Sequence, residues 1–233
     1  MSPWTAASRG SAMGFDLLIF DFDGTLVDTR LDITNAVNDM LARFGKPLKG
    51  VEEVTSYVGD GIVKIVERSM GIAGADLDGA GAAGADIDEA VSAFRDSYAR
   101  RLLENTVPYP GVRETLEGLD GKLKAVLTNK AFEYTKAISD GLGLTPHFAF
   151  ILGGDSVKNR KPATEGVDLI LTRTGIARSR TVMIGDGPND VVTAKNAGIA
   201  SIYVTYGFNP PSAVEPLEPD IVIDDPREIL DMC

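Results

Sequence analysis

Asp21 and Asp23, in the run Asp21-Phe22-Asp23-Gly24-Thr25, place two carboxylates two positions apart, directly after the apolar stretch Leu17-Leu18-Ile19-Phe20. Residues i and i+2 of a strand point to the same side. Both acids can therefore face one pocket, while Gly24 lets the backbone turn away. Ligands of open α/β sheets bind at the carboxyl ends of strands, where this pair would stand; the alternative is an acidic turn. A second pair lies in Gly185-Asp186-Gly187-Pro188-Asn189-Asp190, after the apolar run Thr181–Ile184. Alone, that segment is a turn capping the next helix. Together with the first pair it forms a metal site, since carboxylates converging at one sheet edge repel strongly unless a cation sits among them. Oxygen donors with no His or Cys nearby favour magnesium over zinc.

Two further elements suit phosphoryl transfer. Thr128-Asn129 ends the apolar run Ala125–Leu127 and brings a hydroxyl and an amide to the same edge. Lys161-Pro162 opens a helix-length segment, and a Lys aimed at the pocket would neutralise a phosphoryl oxygen in the transition state. Either alone is an ordinary solvated loop residue. Their order carries the signal: nucleophile, hydroxyl, Lys and acidic pair, each at or after a strand end.

These residues need a sheet to position them. Leu17–Phe20, Ala125–Leu127, Phe148–Leu152, Thr181–Ile184, Ile202–Thr205 and Ile221–Ile223 have the length and bounding turn residues of buried strands. Helix-length stretches lie between them at 131–143, 163–175 and 188–197. The alternation predicts an α/β fold, a Rossmann-like parallel sheet with helices on both faces. Residues 28–106 break the pattern, with helices expected at Ile33–Phe44, Gly61–Met70 and Ile87–Leu103. They read as an inserted helical cap, with 14–27 and 107–233 as a discontinuous core. A Gly/Ala/Asp-rich loop is expected at 71–86. It contains Gly79-Ala-Gly81-Ala-Ala-Gly84, a match to the dinucleotide fingerprint that lacks the preceding strand the motif requires.

The chain has 233 residues and a net charge of −11 from 34 acidic and 23 basic side chains. That balance argues against nucleic acid and anionic lipid as partners. No run is long and apolar enough for a membrane span, and residues 1–13 read as a loose extension without a signal-peptide core. The single Cys, Cys233, excludes an internal disulfide framework. A cytoplasmic protein is expected; its oligomeric state is not readable.

From about residue 16 to the end, the sequence resembles the phosphatase branch of the haloacid dehalogenase superfamily. Asp21-Phe-Asp-Gly-Thr-Leu-Val-Asp28, Leu127-Thr-Asn-Lys130, Lys161-Pro162 and Gly185-Asp-Gly-Pro-Asn-Asp190 fall on its four motifs in order. Within it, Tyr57-Val-Gly-Asp-Gly61 and Gly153-Gly-Asp-Ser156 are similar to the phosphoglycolate phosphatases. The resemblance implies that Asp21 attacks phosphorus and that Asp23 serves as general acid and then base. It implies magnesium on Asp21, Asp186 and the Asp23 carbonyl, supported by Asp190. Thr128, Asn129 and Lys161 would bind the phosphoryl group, and the helical insert would close over the site. The substrate implied is a small phosphorylated metabolite, with 2-phosphoglycolate the first candidate. Gly59, Asp60, Gly61 and Lys64 are cap residues expected to meet it, with Arg68 one turn beyond Lys64.

The sequence departs from that pattern in three places. Gly187 stands where the family commonly has a hydroxyl residue. Asp60 stands where the phosphoglycolate phosphatases usually have Asn, and a carboxylate there disfavours a second anionic group on the substrate. The stretch after Pro162 lacks their usual Pro/His-rich residues. A dehalogenase has no need of Asp23. A sugar phosphomutase would carry a His soon after the first motif, whereas the only His is His147. A non-catalytic binding protein would have lost Asp23 or Lys161. An anionic substrate entering an acidic chain needs the field at the mouth reversed by magnesium and Lys161, aided by Lys130, Lys158 and Arg160.

Overall fold

The computed structural model describes residues 14–72 and 82–233. The expected extension at 1–13, and residues 73–81 of the expected loop with the first glycines of the false fingerprint, lie outside the described residues. Six parallel strands form one sheet: β1 (Leu17–Phe20), β4 (Leu123–Leu127), β5 (Phe150–Leu152), β6 (Thr181–Gly185), β7 (Ala200–Val204) and β8 (Ile221–Ile223). Their spatial order is β5-β4-β1-β6-β7-β8. β1 is central, with Leu17 in register with Leu123 on one side and Thr181 on the other. The chain winds outward from β1 in one direction and then the other, which opens a crevice at the carboxyl ends of the central strands.

Side-chain alternation sorts the core into two layers. Leu18 and Phe20 pack with Val126, Val182 and Ile184 against α5 (Val112–Gly118) and α6 (Phe132–Gly141). Leu17 and Ile19 pack on the opposite face with α7 (Glu165–Thr174) and α8 (Pro188–Ala197), through Val167, Ile170 and Ala194. Because both faces are covered, the strands read as continuous apolar runs. β4 starts two residues before the apolar run because Lys124 is buried within it, its ammonium donating to the Leu119 carbonyl at 2.6 Å. β5 is shorter than expected, since Thr145–His147 coils into a 3-10 turn ahead of it.

Between β1 and β4 lie α1 (Arg30–Arg43), α2 (Val51–Thr55), α3 (Ile62–Met70) and α4 (Ala82–Arg101). They enclose a core of their own, including Val37, Met40, Leu41, Val66 and Phe94, which Tyr134 of α6 joins. α4 starts five residues before the expected helix, as the Ala-rich start of that segment is itself helix-forming. A two-stranded antiparallel ribbon, β2 (Val27–Asp28) with β3 (Val107–Pro108), carries the chain out to these helices and back. Asp32 clamps the exit. Fully buried in α1, it accepts hydrogen bonds from the backbone N–H and side chain of both Asn105 and Thr106, the closest at 2.7 Å.

Candidate active site

The carboxyl ends of β1, β4 and β6 meet at one cavity of about 320 Å³, roofed by the inserted helices. Asp21 leaves β1 with its Oδ1 accepting from the Phe22 N–H at 2.7 Å. Gly24 turns the chain at φ +82°, and any side chain there would collide with the Asp186 carboxylate. Asp186 follows β6, where its Oδ2 accepts from the Phe208 N–H at 2.7 Å and its Oδ1 from Thr25 Oγ1 at 3.2 Å. Asp190 stands in the first turn of α8 and accepts from the Gly187 N–H at 3.1 Å, a favourable place for negative charge. Asp21, Asp186 and Asp190 each offer an oxygen, all within 4.8 Å of one another.

Lys161 is the cation among them, its Nζ 2.9 Å from Asp21 Oδ1 and 2.6 Å from Asp190 Oδ1. Burial alone would pull its pKa down, but the charges of Asp190 and Asp21 override this and raise it. One ammonium does not balance three carboxylates. Burial, followed by the Asp21 charge, pushes Asp186 up to about 6 and Asp190 upward as well. A hard cation would relieve both, and the donors are all oxygen, so the residues present fit a divalent metal.

Asp23 lines the same cavity, as expected, but stands apart from the three converging oxygens. Its carboxylate accepts from Thr29 Oγ1 at 2.8 Å and from Lys130 Nζ at 3.1 Å to each oxygen. Lys130 therefore lies on the buried floor of the cavity rather than at its mouth. Thr128 lines the cavity, as expected. Asn129 lines it too, but its Nδ2 is bound to two backbone carbonyls, Gly59 at 2.8 Å and Lys161 at 3.0 Å. Asn189 reaches the same loop, donating to the Gly59 carbonyl at 3.2 Å and to Asp60 Oδ1 at 3.1 Å. These contacts fasten the loop 58–61 onto the sheet edge.

Gly59, Asp60 and Gly61 line the cavity, as does Arg68, whereas Lys64 does not. Lys64 pairs with Glu67 at 2.7 Å on its own helix. Arg68 Nη2 meets Asp60 Oδ2 at 2.5 Å. Although burial pushes Asp60 up, the Arg68 hydrogen bond prevails and holds its carboxyl below the ordinary range. Arg160 lies against Gly61 and donates to the Gly154 carbonyl at 3.0 Å; Lys158 is exposed. His147 is outside the cavity lining. Sequence reasoning missed Tyr98, Thr29 and the fastening role of Asn189. Only Asn189 stood in a recognised motif.

Residues 18–204 match the family model for haloacid dehalogenase-like hydrolases. Phosphoglycolate phosphatase of Pseudomonas savastanoi pv. phaseolicola is 36% identical over 93% of this chain and 79% of its own length. That of Caulobacter vibrioides is 35% identical over 93% of this chain and 90% of its own. A solved structure from Haemophilus somnus, described as a predicted phosphoglycolate phosphatase, superposes with a TM-score of 0.87 at 28% identity. It covers 96% of this chain and 99% of that one. No helix among the described residues is long and apolar enough to cross a membrane. Motif order, parallel topology and the acidic cleft thus agree: the chain belongs to the haloacid dehalogenase-like hydrolases.

Proposed function

We propose that the protein is a magnesium-dependent phosphomonoester hydrolase working through an aspartyl-phosphate on Asp21. The observation that carries this reading is the meeting of the Asp21, Asp186 and Asp190 oxygens, with Lys161 bridging Asp21 and Asp190. Asp21 attacks phosphorus and its Oδ–P bond forms as the ester P–O bond breaks. Asp23 gives its proton to the departing alkoxide, then takes one from the water that hydrolyses the aspartyl-phosphate. Lys161 and Thr128 hold the transferring phosphoryl oxygens. Asn129 shapes the site through the two carbonyls it binds. Asp21, Asp186, Asp190 and the Asp23 backbone carbonyl would hold magnesium, which supplies charge neutralisation of the phosphoryl group.

Residues 28–106 act as the cap, closing the cavity against bulk water. The substrate is a small phosphorylated metabolite, and the names of the relatives make 2-phosphoglycolate the first to assay. The test is phosphate release from p-nitrophenyl phosphate and 2-phosphoglycolate. Turnover should require magnesium, stop with EDTA, and fall at least about 10³-fold in Asp21→Asn, which loses the nucleophile. A folded Asp21→Asn variant with wild-type turnover removes Asp21 from the role.

A further inference from the structure

Lys130 is nearly solvent-free, with a side chain 5% exposed, and it lies against the carboxylate of Asp23. Its Nζ donates to Asp23 at 3.1 Å on both oxygens and to the Tyr98 hydroxyl at 2.5 Å. The same ammonium stands 4.6 Å from the centre of the Tyr98 ring. Tyr98 belongs to α4, so the inserted block reaches the floor of the cavity through one phenol. The phenol has little freedom: it stacks on Phe94 at 5.5 Å and meets Tyr134 of α6 edge-on at 5.3 Å. Thr29, at the foot of the ribbon, is the second donor on Asp23 and makes its third hydrogen bond.

We propose that Lys130, held by Tyr98, is the positioning residue for Asp23, so that proton transfer depends on the helical block being seated. The inference rests on the phosphatase reading above. Asp23 projects from a turn, and its orientation comes from donors on two separate segments, Thr29 and Lys130, with Tyr98 of α4 holding Lys130 in turn. Proton transfer tolerates little displacement, since a misplacement of about 1 Å costs about 10²-fold. Lys130 touches Asp23 rather than the phosphoryl pocket centred on Lys161, so its loss should slow the chemistry and spare substrate binding. Two proton transfers would suffer: Asp23 to the leaving oxygen, and water to Asp23 when the aspartyl-phosphate is hydrolysed. An aryl ester such as p-nitrophenyl phosphate has a good leaving group and needs only the second.

The experiment compares wild type, Lys130→Met, Lys130→Arg and Tyr98→Phe with magnesium, on p-nitrophenyl phosphate and 2-phosphoglycolate. Lys130→Met should lower kcat about 10²-fold, with KM and inhibition by inorganic phosphate unchanged within about twofold. On the aryl ester, where hydrolysis of the aspartyl-phosphate becomes limiting, KM should instead fall together with kcat, and a burst of one p-nitrophenolate per enzyme should appear as the intermediate accumulates. Lys130→Arg should recover part of the loss. Tyr98→Phe keeps the Lys130–Asp23 pair and the ring, so it folds and decides the case if Lys130→Met does not. On 2-phosphoglycolate its kcat should fall about three- to tenfold at constant KM. Wild-type kcat in folded Tyr98→Phe, or a loss confined to KM and phosphate inhibition, overturns the proposal. No turnover by the wild type overturns the phosphatase reading itself.

Discussion

Among the described residues, Arg68 is the one cation of the helical insert that lines the cavity, and Asp60 holds it at 2.5 Å. A carboxylate on the substrate must either displace Asp60 from Arg68 or lie beside it, and both cost free energy in a partly desolvated cleft. An uncharged leaving group meets no such cost. Asp60→Asn keeps an acceptor for Asn189 and releases Arg68. The expected outcome is a rise of about tenfold in kcat/KM for 2-phosphoglycolate relative to p-nitrophenyl phosphate. An unchanged ratio between the two substrates would show that Asp60 does not select against a second anion. Asn129 makes a related point about residue roles: its amide is spent on the Gly59 and Lys161 carbonyls, which sets where the cap loop and Lys161 stand.

At the scale of elements, the β2–β3 ribbon of two residues per strand carries the chain into and out of the helical block, and the Asp32 clamp ties the block's first helix to its last residues. A ribbon that short contributes few ladder bonds, so the clamp carries much of what holds the entry and exit of the block together. Asp32→Ala removes the acceptor for four buried or half-buried donors at Asn105 and Thr106. The expected loss is about 3 kcal/mol of unfolding free energy, read from urea denaturation. A loss under about 0.5 kcal/mol would mean that water satisfies those donors and the clamp is unimportant. α8 illustrates an element with two tasks. Its first turn holds Asp190 at the site, while Ala194 and Ala197, further along the same buried face, pack it onto the sheet.

Across the whole molecule, the charge of −11 has a part concentrated in the cleft. Asp186 titrates at about 6 in the folded chain against an ordinary 3.8. The folded state therefore binds the proton more tightly than the unfolded state. Metal-free stability is highest, from this group, below about 3.8 and declines as pH rises through about 6, by up to about 3 kcal/mol. Magnesium bound as proposed would compete with that proton. Its addition should raise Tm clearly at pH 7.5 and little at pH 5, measured against EDTA controls. Equal shifts at both pH values would remove Asp186 from the metal site. Lys130, expected at the mouth, is occupied on the floor, so the entry field would fall to Lys161, the rim Arg160 and the proposed metal.

The sequence by itself determined the α/β class, the helical insert and the acids that converge. Leu17–Phe20 and Ile221–Ile223 were legible because a strand covered on both faces must be apolar throughout. Asp21 and Asp186 were legible because each directly follows such a run. The start of β4 was hidden by Lys124, a charge that becomes tolerable only when the Leu119 carbonyl folds over it. The ribbon was too short to show any periodicity. Partner choice was decided by tertiary structure alone. Lys130 and Asp23 are 107 positions apart, and Asn129 and Gly59 are 70. Residue type tells what a side chain can bind; only the packing of α4 and the loop 58–61 against the sheet edge brings a given donor within 3 Å of a given acceptor.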